Sequence, residues 1–133
     1  MAQFGRKHNR GFTLIELMIV ISITMILLAI AIPSYNQSVL HAKESVLKQD
    51  LFTLRNVISQ YTLDKAKAPQ SLEDLRTAGY LRDIPKDPFT GAADWVPVQE
   101  DSLMSVDQQE PGIWDVNSAS TQVGSDGTAY NTW

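Results

Sequence analysis

Cysteine is absent from the 133-residue chain. That excludes disulfides, zinc ribbons, iron–sulfur clusters and thiol nucleophiles together, and leaves the redox compartment open. Histidine is scarce: only His8 and His41 are available for metal or acid–base chemistry. No phosphate loop, GxSxG, HExxH or Ser/His/Asp cluster is found, so the sequence gives no enzyme chemistry to build on. Bases nearly vanish from the second half. From Asp83 onward only Lys86 stands against Asp87, Asp94, Glu100, Asp101, Asp107, Glu110, Asp115 and Asp126. With a net charge of −4, direct nucleic-acid binding is not expected. A 44% hydrophobic and 20% charged composition excludes disordered and collagenous chains, and the length suits one ordinary domain.

What is present is unevenly distributed. Residues 1–11 carry Arg6, Lys7 and Arg10 and no acid. Phe12 to Ile32 is apolar, with Glu16 as its single charge. A helix of that length spans roughly 30 Å, the thickness of a bilayer's hydrocarbon core. The flanking bases hold its start in the cytoplasm, so the acidic remainder lies outside it. A cleaved secretory signal would share the basic head, the apolar stretch and an Ala-x-Ala triplet, here Ala29-Ile30-Ala31. Glu16 opposes that reading, because a carboxylate in lipid is costly and needs a purpose.

The helix also continues beyond the membrane length. Leu40, Leu47, Leu54 and Tyr61 recur every seven residues, and Leu51 and Ile58 interleave with them. Val39, Val46 and Val57 widen the stripe, while Lys43, Glu44, Lys48, Asp50 and Arg55 are placed on the other side. The pattern predicts one helix from about Thr13 to about Leu63, kinked at Pro33.

Gly11-Phe12-Thr13-Leu14-Ile15-Glu16, after a basic leader, resembles the type III signal of type IV pilins and type II secretion pseudopilins. The resemblance implies a cut after Gly11 by a membrane-embedded prepilin peptidase, methylation of Phe12, and an assembly role for Phe12, Glu16 and Pro33. The expected fold is α+β and pilin-like. A long N-terminal helix, transmembrane then amphipathic, packs on a small antiparallel sheet with a loop-rich C-terminus. The expected divisions are a leader at 1–11, a transmembrane and assembly half of the helix at 12–35, and a periplasmic globular domain at 36–133. The implied partners are further copies of the chain in a helical fibre, an inner-membrane assembly platform and minor pseudopilins. The chain would cross the bacterial inner membrane once, N-terminus in the cytoplasm. Cleavage would remove three of the eleven bases and no acid, leaving eight against fifteen.

In the globular part, Ser71 reads as the N-cap of a short helix, with Asp74 three residues on and Gly79 as its stop. The Asp87-Pro88 region reads as turn chemistry. Asp94–Gln99 and Ile113–Asn117 are strand candidates, the first demoted to an edge by Pro97. Residues 100–110 link them, and Trp95 and Trp114 are expected to pack. The segment Asn117–Trp133 has no apolar period and needs fixing. Major pseudopilins bind a structural calcium ion in the corresponding loop. That resemblance implies ligands at Ser125 and Asp126, with carbonyls from Val116 and Ser118 and a lesser place for Asp115. The family's adjacent acids are replaced here by Ser125-Asp126-Gly127, which reads equally as a plain turn. Two functions stay open: a major pseudopilin driving protein export, or a type IV pilin for adhesion, motility or DNA uptake. The missing cysteines and the short globule favour the pseudopilin.

Overall fold

A computed structural model of the chain describes residues 5, 10–99 and 111–133. The linker at 100–110 and most of the basic leader lie outside the described residues. Two units divide at Ser38, residues 1–38 and 39–133.

Helix α1 runs Leu14–Lys65, within two residues of the expected bounds. Pro33 lies inside it and does not end it. Within residues 12–32 every side chain is exposed, and among the described residues α1 is the one helix long and apolar enough to cross a membrane. Its few hydroxyls cost little there, because Ser22 and Thr24 donate back to Met18 O and Val20 O, each at 2.7 Å.

In the second unit the heptad stripe becomes the core. Leu47, Leu51, Leu54, Val57 and Ile58 are buried against Leu75, Trp95, Ile113, Val116 and Tyr130. Helix α2, Leu72–Thr77, starts with the expected capping box: Asp74 N–H donates to Ser71 Oγ, and the Asp74 carboxylate accepts from Ser71 N–H. It ends in a Schellman arrangement, with Gly79 N–H on Arg76 O and Tyr80 N–H on Leu75 O. Gly79 takes φ +85°, the left-handed conformation that makes glycine the fitting stop. Tyr80 then packs edge-on against Tyr61 and donates to Asp64 Oδ2 at 2.7 Å, fastening α2 to the end of α1.

Strands β1, Val96–Gln99, and β2, Ile113–Asn117, form an antiparallel pair. The expected alternation in β2 is broken. Val98 opposes Asp115 but Gln99 opposes Ile113, so Trp114 is an extra, bulged residue. The bulge shifts the phase and turns Ile113 and Val116, three apart, both inward. Trp114 is left 55% exposed, correcting its expected packing role. Trp95 is buried as expected, with its indole N–H on Pro85 O at 2.7 Å. The 117–133 segment is mostly loop, with one bridge between Val123 and Ala129 and a 3₁₀ turn at Tyr130–Thr132.

Candidate functional site

Two places hold the residues singled out in the sequence. The first is the start of α1. Phe12 is exposed. Thr13 Oγ1 accepts from Glu16 N–H at 3.2 Å, and Glu16 Oε2 accepts from Thr13 N–H at 3.5 Å. The Thr-x-x-Glu spacing within the signal is therefore also a capping box, a reading that sequence reasoning missed although the spacing carries it. Two orphan amides are satisfied at the end of a helix whose flank is apolar. A Cβ added at Gly11 would meet nothing within 4 Å. Among the described residues nothing around Gly11 demands glycine.

The second place is the Asn117–Trp133 segment. Its organiser is Glu44, which corrects the placement of that residue on the solvent side of α1. Glu44 is 5% exposed. Ser125 N–H donates to Oε1 at 2.7 Å, Ser125 Oγ–H to Oε2 at 2.6 Å, and Tyr130 Oη–H to Oε1 at 3.0 Å. The Ser125 hydroxyl is the main cause that holds the Glu44 carboxyl below its ordinary range, against the opposing effect of burial. His41 Nδ1 lies 3.5 Å from Oε2. Burial and the bond to Glu44 push the Tyr130 phenol up to about 12. Tyr130 also stacks on Phe89, with ring centroids 3.9 Å apart.

Arg55, also read as lying on the other side of α1, reaches across to this segment instead. Its Nε donates to Asp115 Oδ1 at 2.6 Å; its Nη2 donates to Val116 O at 3.1 Å and to Trp133 O at 2.7 Å. A further anchor joins Asp87 and Ser118, both fully buried, where Ser118 Oγ–H donates to Asp87 Oδ2. Asp87 does turn chemistry as expected, accepting Phe89 N–H at 2.8 Å, but it also ties the two loops together. The signal for Glu44 was available: residues 44, 47, 51, 54 and 58 share one helical face.

Each of the four residues expected to bind calcium has an oxygen engaged elsewhere in the fold. Val116 O accepts from the Arg55 guanidinium, Ser118 Oγ–H donates to Asp87 Oδ2 while the same oxygen accepts Ser120 N–H, Ser125 Oγ–H donates to Glu44 Oε2, and Asp126 Oδ1 accepts Thr128 N–H and Oγ1–H at 2.9 and 2.7 Å. Among the described residues no group of three or more His, Asp or Glu could hold an ion. Calcium takes six to eight oxygens, and this donor set, with a guanidinium on one carbonyl, does not fit it.

The family described as "Prokaryotic N-terminal methylation motif" matches residues 6–32. The type II secretion system core protein G of Klebsiella michiganensis is 31% identical over 102 residues, covering 65% of this chain and 72% of that protein. The competence protein ComGC of Halalkalibacterium halodurans is 34% identical over 74 residues, covering 56% and 72%. The type IV major fimbrial protein FimA of Dichelobacter nodosus is 43% identical over 65 residues, covering 49% and 41%. No solved structure matches. A methylation motif opening an apolar helix, a small two-stranded sheet behind it and these relatives agree: the chain belongs to the type IV pilin-like family of structural subunits and is not an enzyme.

Proposed function

We propose that the chain is the major pseudopilin of a type II protein secretion system, the repeating subunit of a periplasmic fibre that helps drive export. The observation that carries this reading is the extent of the match to core protein G. The first 65 residues, through the end of α1, are 49% of the chain, the share the fimbrial relative covers. A match covering 65% must run past α1 into the globular part, and it covers more of the chain than the competence relative's 56%. The second reading, a surface pilin for adhesion, motility or DNA uptake, rests on the fimbrial and competence relatives.

In either case a prepilin peptidase cuts after Gly11 and methylates Phe12. Residues 12–35 then anchor the subunit in the inner membrane and pack in the fibre, and residues 36–133 form the periplasmic domain. An inner-membrane assembly platform and minor pseudopilins are the further partners. Deleting the gene from its own bacterium tests the choice. The pseudopilin reading expects exported proteins to disappear from the medium, with surface fibres and DNA uptake intact. Loss of fibres or of DNA uptake with export intact gives the second reading.

A further inference from the structure

We infer that the Ser125–Tyr130 turn of this chain is fastened by the Glu44 carboxylate of α1 in place of a bound calcium ion, so that the globular domain folds independently of calcium. An ion in such a loop would do two things: neutralise carboxylates and tie a segment without apolar periodicity to the rest of the fold. Both tasks are done here by side chains. Glu44 brings a negative charge to the turn from a rigid helix. Three donors, the Ser125 amide, the Ser125 hydroxyl and the Tyr130 hydroxyl, complete the shell that water would otherwise supply to both of its oxygens. The clasp joins residues 81 and 86 positions apart in sequence, which is the long-range closure that an ion would provide.

The packing around the clasp is built for it. A Cβ at Gly124 would come 2.7 Å from Trp133 Cζ2, 2.9 Å from Tyr130 Cε1 and 3.2 Å from Glu44 Oε1. Gly124 therefore lets the turn approach the carboxylate as closely as the Ser125 bonds require. The other residues expected as ligands each have an oxygen bonded within the chain. Arg55 occupies the Val116 carbonyl, Asp87 holds Ser118, and Asp126 closes its own turn on Thr128.

The test uses the full chain extracted in detergent. Thermal midpoints are measured with calcium, with magnesium and with a chelator, and calcium binding is followed directly by calorimetry. The expected result is three superimposable melts and no calcium heat. A midpoint that rises with calcium and falls with chelator overturns the inference, as does stoichiometric calcium binding. Amide exchange reads the clasp itself. In Glu44→Gln the Ser125 amide should exchange about tenfold faster or more, equivalent to about 1.4 kcal/mol, while the capped α2 amides keep their protection. Unchanged Ser125 exchange in Glu44→Gln overturns the inference. Ser125→Ala keeps the amide bond and removes only the hydroxyl, so it supplies a milder variant if Glu44→Gln does not fold. The same acceleration, smaller in size, is expected there, and its absence counts against the clasp.

Discussion

Asp87 and Ser118 meet in the interior 31 residues apart, and neither side chain reaches solvent. Among the described residues, removing the Ser118 hydroxyl leaves the buried carboxylate with the Phe89 amide as its remaining donor. An unsatisfied buried polar group costs about 1–3 kcal/mol, more when it is charged. Ser118→Ala is therefore expected to lose about 2–3 kcal/mol in denaturant unfolding, far more than the exposed Ser59→Ala. Glu44 gives a pH signature of the opposite kind from a buried, unpaired acid. Its folded-state pKa lies below the ordinary glutamate value of about 4.3. Its contribution to stability is thus fully present above that value and is lost as pH falls through the depressed folded value. The groups around it are His41 on its own helix, and Ser125, Tyr130 and, beside the tyrosine, Asp126. Acid titration of the melting midpoint should show a drop below about pH 4.3 that Glu44→Gln lacks. Both acids were visible in the sequence, but their partners were not. Position 44 fell on the apolar stripe, and its charge argued it outward. Only the distant Ser125 and Tyr130 explain why the charge is tolerated inside.

At the level of elements, the signals that were legible were local ones. The heptad stripe gave α1 and the core, because a 52-residue helix repeats its period often enough to be read. Ser71, Asp74 and Gly79 gave α2, because capping is decided within one turn. For so short a helix the cap is a large share of its stability. Ser71→Ala should cost about 1 kcal/mol, visible as faster exchange of the Asp74 amide and a lower midpoint. What could not be read was the bulge at Trp114. Alternation in Ile113-Trp114-Asp115-Val116-Asn117 assigns faces only if the register is unbroken. The register depends on pairing with β1, which no residue in β2 announces. The result is an outward tryptophan where a large aromatic was expected to pack inward. In the same way the ties from Arg55 to Asp115, Val116 O and Trp133 O span 60 to 78 positions and leave no local trace.

At the scale of the whole molecule, the apolar run at residues 12–32 carries one charge, Glu16, and that charge has two candidate duties. In the subunit as folded, Glu16 closes the capping box with Thr13. If the leader is cut after Gly11 as proposed, a cationic amine would appear at Phe12, and in a fibre Glu16 could pair with the amine of a neighbouring subunit. A charge within an apolar membrane-length run is costly even near its start, so a duty in assembly would explain its presence. Processing comes first and is directly measurable: intact mass of the membrane-extracted protein should correspond to a chain starting at methylated Phe12. A start at Ile32 would instead indicate an ordinary secretory signal. The two duties of Glu16 then separate by substitution. A capping box accepts glutamine at the third helical position as well as glutamate, so Glu16→Gln preserves the cap and deletes the charge. Glu16→Ala deletes both. If the charge pairs subunits, both variants insert and are processed normally, and both lose most of their sheared-fibre yield. If the cap is the essential duty, Glu16→Gln keeps fibres and Glu16→Ala alone loses them. The expected outcome is the first. The Thr13 hydroxyl and the amide of Glu16 can hold the helix start without a charge, whereas nothing else within residues 12–32 can answer a cationic amine.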